Sequence, residues 1–189
     1  MRIQFLLPLL MLTMFTNKPA HPQIHPPELL RVEVLLKLLS LNQGIDIANL
    51  DSVTIALVYD AGDSTARRQT ESYRRWFSDF PNPPFRGKPL RILSFSNRAL
   101  ADINWPAIQA VVVLPGQANR IDAIREKCAA YKVLSMTTDS TLVSQGIAAG
   151  VTMSSSQKPE IWFNVKSLEA GGGMYRVEIL QLAKQIIWE

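Results

Sequence analysis

The stretch "VTIALVYD", residues 53–60, is a nearly unbroken apolar run rich in β-branched residues. A strand with one wet face would alternate apolar and polar residues; this one does not, so it is expected to be buried on both faces, as in a parallel sheet covered by helices. The flanking sequence repeats that grammar. "DSTARRQTESYRRWFSDF" follows, with Asp63 or Ser64 able to cap a helix and Glu71, Arg74 and Arg75 forming its wet face. "PNPPFRGKP" breaks the chain. "LRILSFS" reads as a second strand, "NRALADINW" as at most a short helix, and "QAVVVLPG" as a third buried strand stopped by Pro115-Gly116. "QANRIDAIREKCAAY" is a helix, "KVLSMT" a fourth strand, and "TDSTLVSQGIAAG" a short helix or turn.

Four strand–helix alternations imply parallel pairing and right-handed connections. "VTMSSSQ" and "EIWFNV", joined around Gln157-Lys158-Pro159, add a late antiparallel hairpin. The expected fold is an α/β three-layer sandwich with a mostly parallel sheet, flavodoxin-like or a single lobe of a periplasmic binding protein. A last helix is expected from about Met174 to Trp188, with Tyr175, Ile179, Leu182, Ala183 and Ile186 on one face.

The N-terminal end has a different character. "MRIQFLLPLLMLTMFTNKPA" joins a basic start to an apolar run too short to cross a bilayer, and a polar, Pro-containing stretch follows. It reads as a signal peptide over residues 1–20 and predicts a periplasmic protein. A Pro-rich leader, 21–27, contains both histidines, His21 and His25; a linker is the simpler reading than a metal site. A single α/β domain is expected over 28–189. With 189 residues, 47% of them hydrophobic, and a mean hydropathy of +0.05, one real core is available. The net charge of +4 would lose two cations, Arg2 and Lys18, with the signal peptide, and no basic patch with interleaved aromatics occurs, so no nucleic-acid partner is expected. The one cysteine, Cys128, cannot form an intrachain disulfide and reads as a small buried hydrophobe.

"PELLRVEVLLKLLSLN" opens with helix-starting residues and then surrounds itself with Leu and Val. A helix on one face of a sheet needs only a stripe. The excess apolar surface makes this helix, through Val34, Leu35 and Leu38, the expected contact element for a partner or a homodimer; burial on both sides within one chain is the competing reading.

In open α/β sheets ligands lie outside the carboxyl ends of the strands. That edge holds "YDAGDS", "SFSN", "LPGQ" and "MTTDS", and the candidate ligand residues are Asp60, Asp63, Gly116 and Asp139. Three carboxylates suit a divalent cation, but the acceptor Asp and the lysine of a receiver domain are not in place, and helix capping accounts for Asp63 and Asp139. No catalytic triad, Cys–His pair or nucleotide-binding glycine motif occurs, so neither an enzyme nor a cofactor is proposed by the residues. Gly171-Gly172-Gly173 precedes Met174-Tyr175, poor phosphate ligands. The glycines read as a hinge between elements rather than a phosphate loop.

"FNVKSLEAGGGMYRVEILQLAKQI" resembles the C-terminal signature of the YfiR/HmsC-like periplasmic proteins, with Phe163, Asn164, Ala170, Gly171, Leu180, Leu182 and Ala183 in matching places. "FRGKPLRILSFS", "AVVVLP" and "VLSMTTDSTLVSQGIAAGVTM" follow in the family's order. The chain departs from it in having "LLSLNQG" where a Phe-x-x-Trp-Pro pattern is common, and Met174-Tyr175-Arg176 in place of Ser-Ser. The resemblance implies a non-enzymatic exported regulator that restrains a membrane-anchored diguanylate cyclase, controlling cyclic di-GMP and biofilm, by contact with its periplasmic region. A small-ligand binding protein and an envelope assembly or adhesion factor are the alternatives.

Overall fold

The computed structural model describes residues 27–80, 85 and 87–188. The expected signal peptide, both histidines and most of the Pro-rich leader lie outside the described residues. Helix α1 spans Pro27–Leu41, strand β1 Val53–Tyr59, α2 Ser64–Ser78, β2 Leu90–Ser96 and β3 Ala110–Val113. Two single turns of 3-10 helix replace the short helix expected between β2 and β3. Then come α3 (Ile121–Tyr131), β4 (Leu134–Thr137), α4 (Ser140–Ser144), β5 (Ala149–Met153), β6 (Pro159–Asn164), α5 (Val165–Ala170), α6 (Val177–Leu180) and β7 (Ala183–Ile187).

The seven strands form one sheet in the order β2-β1-β3-β4-β5-β6-β7. The first five are parallel, β6 pairs antiparallel with β5, and β7 lies parallel to β6. The fold class is the one the sequence predicts, an α/β sandwich with a late antiparallel hairpin. Alternation along the buried strands divides the interior in two. Ile55, Leu57, Ala110 and Val112 face a layer with α1 and α2, whereas Ala56, Val58, Val111 and Val113 face the 3-10 turns, α3 and α4. The chain leaves β1 toward β2 on one side and returns to β3 on the other. The carboxyl ends of β1 and β3 therefore form the switch point at which such sheets place ligands.

Two expectations are corrected. The last helix is a single turn, Val177–Leu180, followed by β7. Its apparent i, i+4 pattern is overridden because β6 offers an open edge. Ile186 and Ile187 pair with Phe163 and Asn164, and Lys184 reaches Glu160 at 3.5 Å. An irregularity between Ile161 and Trp162 disturbs the two-residue period that would have announced a strand. The second correction concerns α1. Leu35 and Leu38, expected as contact residues, are 1% and 2% exposed, and Val34 is half-buried against the same core. The helix packs on both the sheet and α2, and this explains its apolar circumference.

The glycines do act as a joint. Gly171 ends α5, and Gly172 takes φ +73. A Cβ added at Gly44 would overlap the Gly172 carbonyl, so the two backbones meet only because residue 44 is glycine, while Gly172 is suited to its positive φ. Asn42 locks the junction: its Oδ1 accepts from Gly44 N at 3.0 Å and Met174 N at 2.7 Å, and Gln43 N donates to Met174 O. The backbone there is engaged in chain packing.

Candidate functional site

The carboxyl edge is built from short loops that follow buried strands. Asp60 folds back to accept from Gly62 N at 2.8 Å. Asp63 caps α2 through Thr65 N at 2.7 Å. Asp139 caps α4, accepting from Thr141 N at 2.9 Å and Thr141 Oγ1 at 2.8 Å. Gly116 is exposed at φ +89. The three carboxylates are thus committed to local turns, and no group of three or more His, Cys, Asp or Glu suited to a metal occurs among the described residues. The four sequence-predicted positions share the edge of the sheet, yet none lines the cleft that opens there.

That cleft has a volume of about 460 Å³, within the usual range for a small-molecule site. One wall is the outward face of α2, where Thr65, Arg68, Gln69, Ser72 and Trp76 recur at helical spacing. The other is the first turn of α1, with Glu28 and Arg31, and the floor is Pro115 and Thr138 from the ends of β3 and β4. Tyr73 stands edge-on to Trp76, centroids 5.1 Å apart, which fixes the indole at the cleft wall.

Several buried polar atoms at this edge have no hydrogen-bond partner among the described residues. Thr138, 6% exposed, has an unpaired Oγ1, and the Nε of Arg31 is unpaired and shielded from solvent. Beyond the cleft lining, Gln117 follows β3 fully buried with both carboxamide atoms unpaired, and Asn97 follows β2 with an unpaired Oδ1. An unsatisfied buried polar group costs about 1–3 kcal/mol, so such groups concentrate where a ligand or water completes them. Glu28, Arg31 and Arg68 form no ion pair among the described residues.

Two other clefts carry weaker cases. One of about 680 Å³ lies at the opposite edge, between the loop after α1 and α6. It is the largest of the three by volume, but its one unpaired buried atom is Asn42 Nδ2, on a side chain already held by two backbone donors. A cleft of about 330 Å³ beside α3 touches Cys128, whose thiol is pushed by burial up to about 12, which disfavours the thiolate.

Sequence reasoning located this edge but missed Arg31, Trp76, Gln117 and Thr138. A signal was present: Gln117 and Thr138 are polar residues in the loops that follow buried strands, where a chain serving only its core has no need of them.

No family profile and no curated protein matches the sequence. Solved structures do match its fold. An ABC domain in complex with L-Trp from Streptococcus pneumonia superposes with a TM-score of 0.60 at 14% identity, over 86% of this chain and 61% of that one. A conserved domain protein from Vibrio cholerae O1 biovar El Tor gives 0.59 at 12% identity, over 82% and 60%. A substrate-binding protein with adhesive properties from Clostridium difficile, in its ligand-free, open structure, gives 0.57 at 12% identity, over 73% and 55%. The chain therefore shares the fold of binding-protein domains while spanning 55% to 61% of the lengths of these three structures.

Proposed function

We propose that this chain is an exported binding domain for a small organic ligand, held at the carboxyl edge of the sheet between α1 and α2. The observation that carries the reading is the cleft of about 460 Å³ at the carboxyl edge, lined by Thr138 and Arg31, whose hydroxyl and Nε have no partner among the described residues. The fold shared with a substrate-binding protein, and with a domain that holds an amino acid, supports a ligand of that size and a periplasmic location. No described helix is long and apolar enough to cross a membrane.

The test is ligand capture. Purified protein is incubated with a metabolite extract, washed and denatured, and the released molecules are identified by mass spectrometry. Gln69→Trp, which fills the cleft from the exposed face of α2, should abolish the capture without lowering the melting temperature. Equal recovery from the filled variant would move the site elsewhere.

A contact role of the kind the family resemblance implies is a second reading, and one observation favours it. Met174, Val177, Leu182 and Trp188 are large apolar residues left exposed in the C-terminal segment that holds β7, the edge strand of the sheet among the described residues. The periplasmic region of a membrane-anchored signalling protein is the partner this reading proposes. Unchanged cyclic di-GMP after deletion of the gene would remove it.

A further inference from the structure

We infer that the ligand of the α1–α2 cleft is an organic anion with a flat apolar body, its carboxylate held by Arg31 and its body laid against Trp76. The inference rests on the small-ligand reading above and adds the chemical class. Three observations converge. First, the cleft's charged lining is Arg31, Arg68 and Glu28, a net positive set, and none of the three is neutralised by an ion pair among the described residues. Second, the Arg31 Nε–H is shielded from water with no acceptor. A guanidinium presents its donors as a rigid fork whose geometry matches a carboxylate, and Arg31 brings that fork to the cleft lining. The Thr138 hydroxyl, unpaired at the floor, supplies a further hydrogen bond. Third, the lining offers an aromatic surface: Trp76 is half-buried and braced by Tyr73 at 5.1 Å. A braced ring offers a planar surface at low entropic cost.

Glu28 refines the prediction. Its carboxylate lies in the same lining as the two arginines, so a ligand carrying an amine as well as a carboxylate has a counter-charge available at the α1 end of the cleft.

A matched pair of probes tests the inference: indole-3-acetate and indole-3-ethanol, which share the flat ring and differ in the anion. Titration calorimetry on the purified chain should give at least about tenfold tighter binding of the acetate, the difference one charge-assisted contact makes. Arg31→Gln should erase the discrimination by weakening the acetate alone. Arg31→Lys, which keeps the charge and loses the fork, should retain part of it and stays informative if the Gln variant folds poorly. Trp76→Ala should weaken both probes alike. Equal affinities for the two probes, or discrimination that survives Arg31→Gln, overturns the anionic assignment and leaves the small-ligand reading standing. Failure of both probes, while metabolite capture still recovers a neutral molecule, overturns it equally. Failure of both together with empty capture removes the small-ligand reading and this inference with it.

Discussion

The two flanks of the sheet obey different rules. In the parallel half, every residue of β3 and β4 and six of the seven in β1 are buried, and the strands announce themselves as apolar runs with helices on either side. In the C-terminal flank, β7 exposes Lys184 and Gln185, its neighbours Leu182 and Trp188 are 67% and 73% exposed, and a single helical turn precedes it. The first flank is fixed by its own composition. The second is fixed by what it is placed against, namely the open edge of β6 and the glycine joint at Gly44–Gly172. The difference separates a half whose strands are buried on both faces from a flank whose large apolar residues stay exposed.

The largest effect should come from the parallel half. Leu57 is fully buried in the layer beneath α1 and α2, and truncation there leaves a cavity that a close-packed interior refills only in part. Leu57→Ala should cost about 2–5 kcal/mol, read as a lowered midpoint in urea at unchanged slope. A loss below about 1 kcal/mol, a size typical of surface positions rather than cores, would break the contrast between the flanks.

The joint comes next. In Gly44→Ala the new methyl meets the Gly172 carbonyl, and the backbone on one side must move. Overpacking of this kind costs about 1–3 kcal/mol. Hydrogen exchange should localise the damage to the Met174 amide, which now donates to Asn42, and to β7, while the β1 and β3 amides stay protected. Uniform loss of protection would mean that the two flanks unfold as one unit.

How much of this was legible follows the same division. Val53–Tyr59 and Ala110–Val113 were readable because burial on both faces forces continuous apolar sequence. Asp63 and Asp139 were readable because capping is a local hydrogen bond with a fixed residue preference. The segment after Gly173 misled because Ile179, Ala183 and Ile186 satisfy a helical spacing, while the decision between helix and strand was made by β6, more than fifteen residues away. Leu35 and Leu38 misled for a related reason: an apolar circumference reports how many neighbours a helix has and not whether they belong to the same chain. The cleft was half legible. Its edge followed from topology, but Arg31 sat inside a helix dominated by leucine, and Thr138 was hidden by the more conspicuous Asp139 beside it.

Titration probes both flanks in one experiment. Burial raises the Cys128 thiol, in the α3 layer, from 9.0 to about 12, and it also pushes up the phenol of Tyr175, which packs on Phe163 with centroids 5.2 Å apart. Folding favours the neutral form of each. The associated stability is therefore whole below the ordinary pKa and is lost as pH rises through the raised one. Stability should hold to about pH 9 and fall toward pH 12. Tyr175→Phe removes a hydroxyl that has no partner among the described residues, so it should be near neutral at pH 7 and make the alkaline fall shallower. An alkaline profile identical to that of the parent chain would show that the C-terminal flank opens before the phenol titrates.

The smallest effect sharpens the comparison most. Leu182→Ser and Trp188→Ser remove apolar groups that are already in water, so each should change stability by no more than about 0.5 kcal/mol in the isolated chain. That expectation holds only while the flank is open. If a second copy covers β7, the same substitutions strip an interface, and two signatures appear together. The parent chain melts at a temperature that rises with protein concentration, and the serine variants lose that dependence. A concentration-independent melt with negligible mutational cost leaves the edge free. Any role of the exposed leucine and tryptophan would then require a different partner, and a pull-down comparing the parent chain with the double serine variant tests for one.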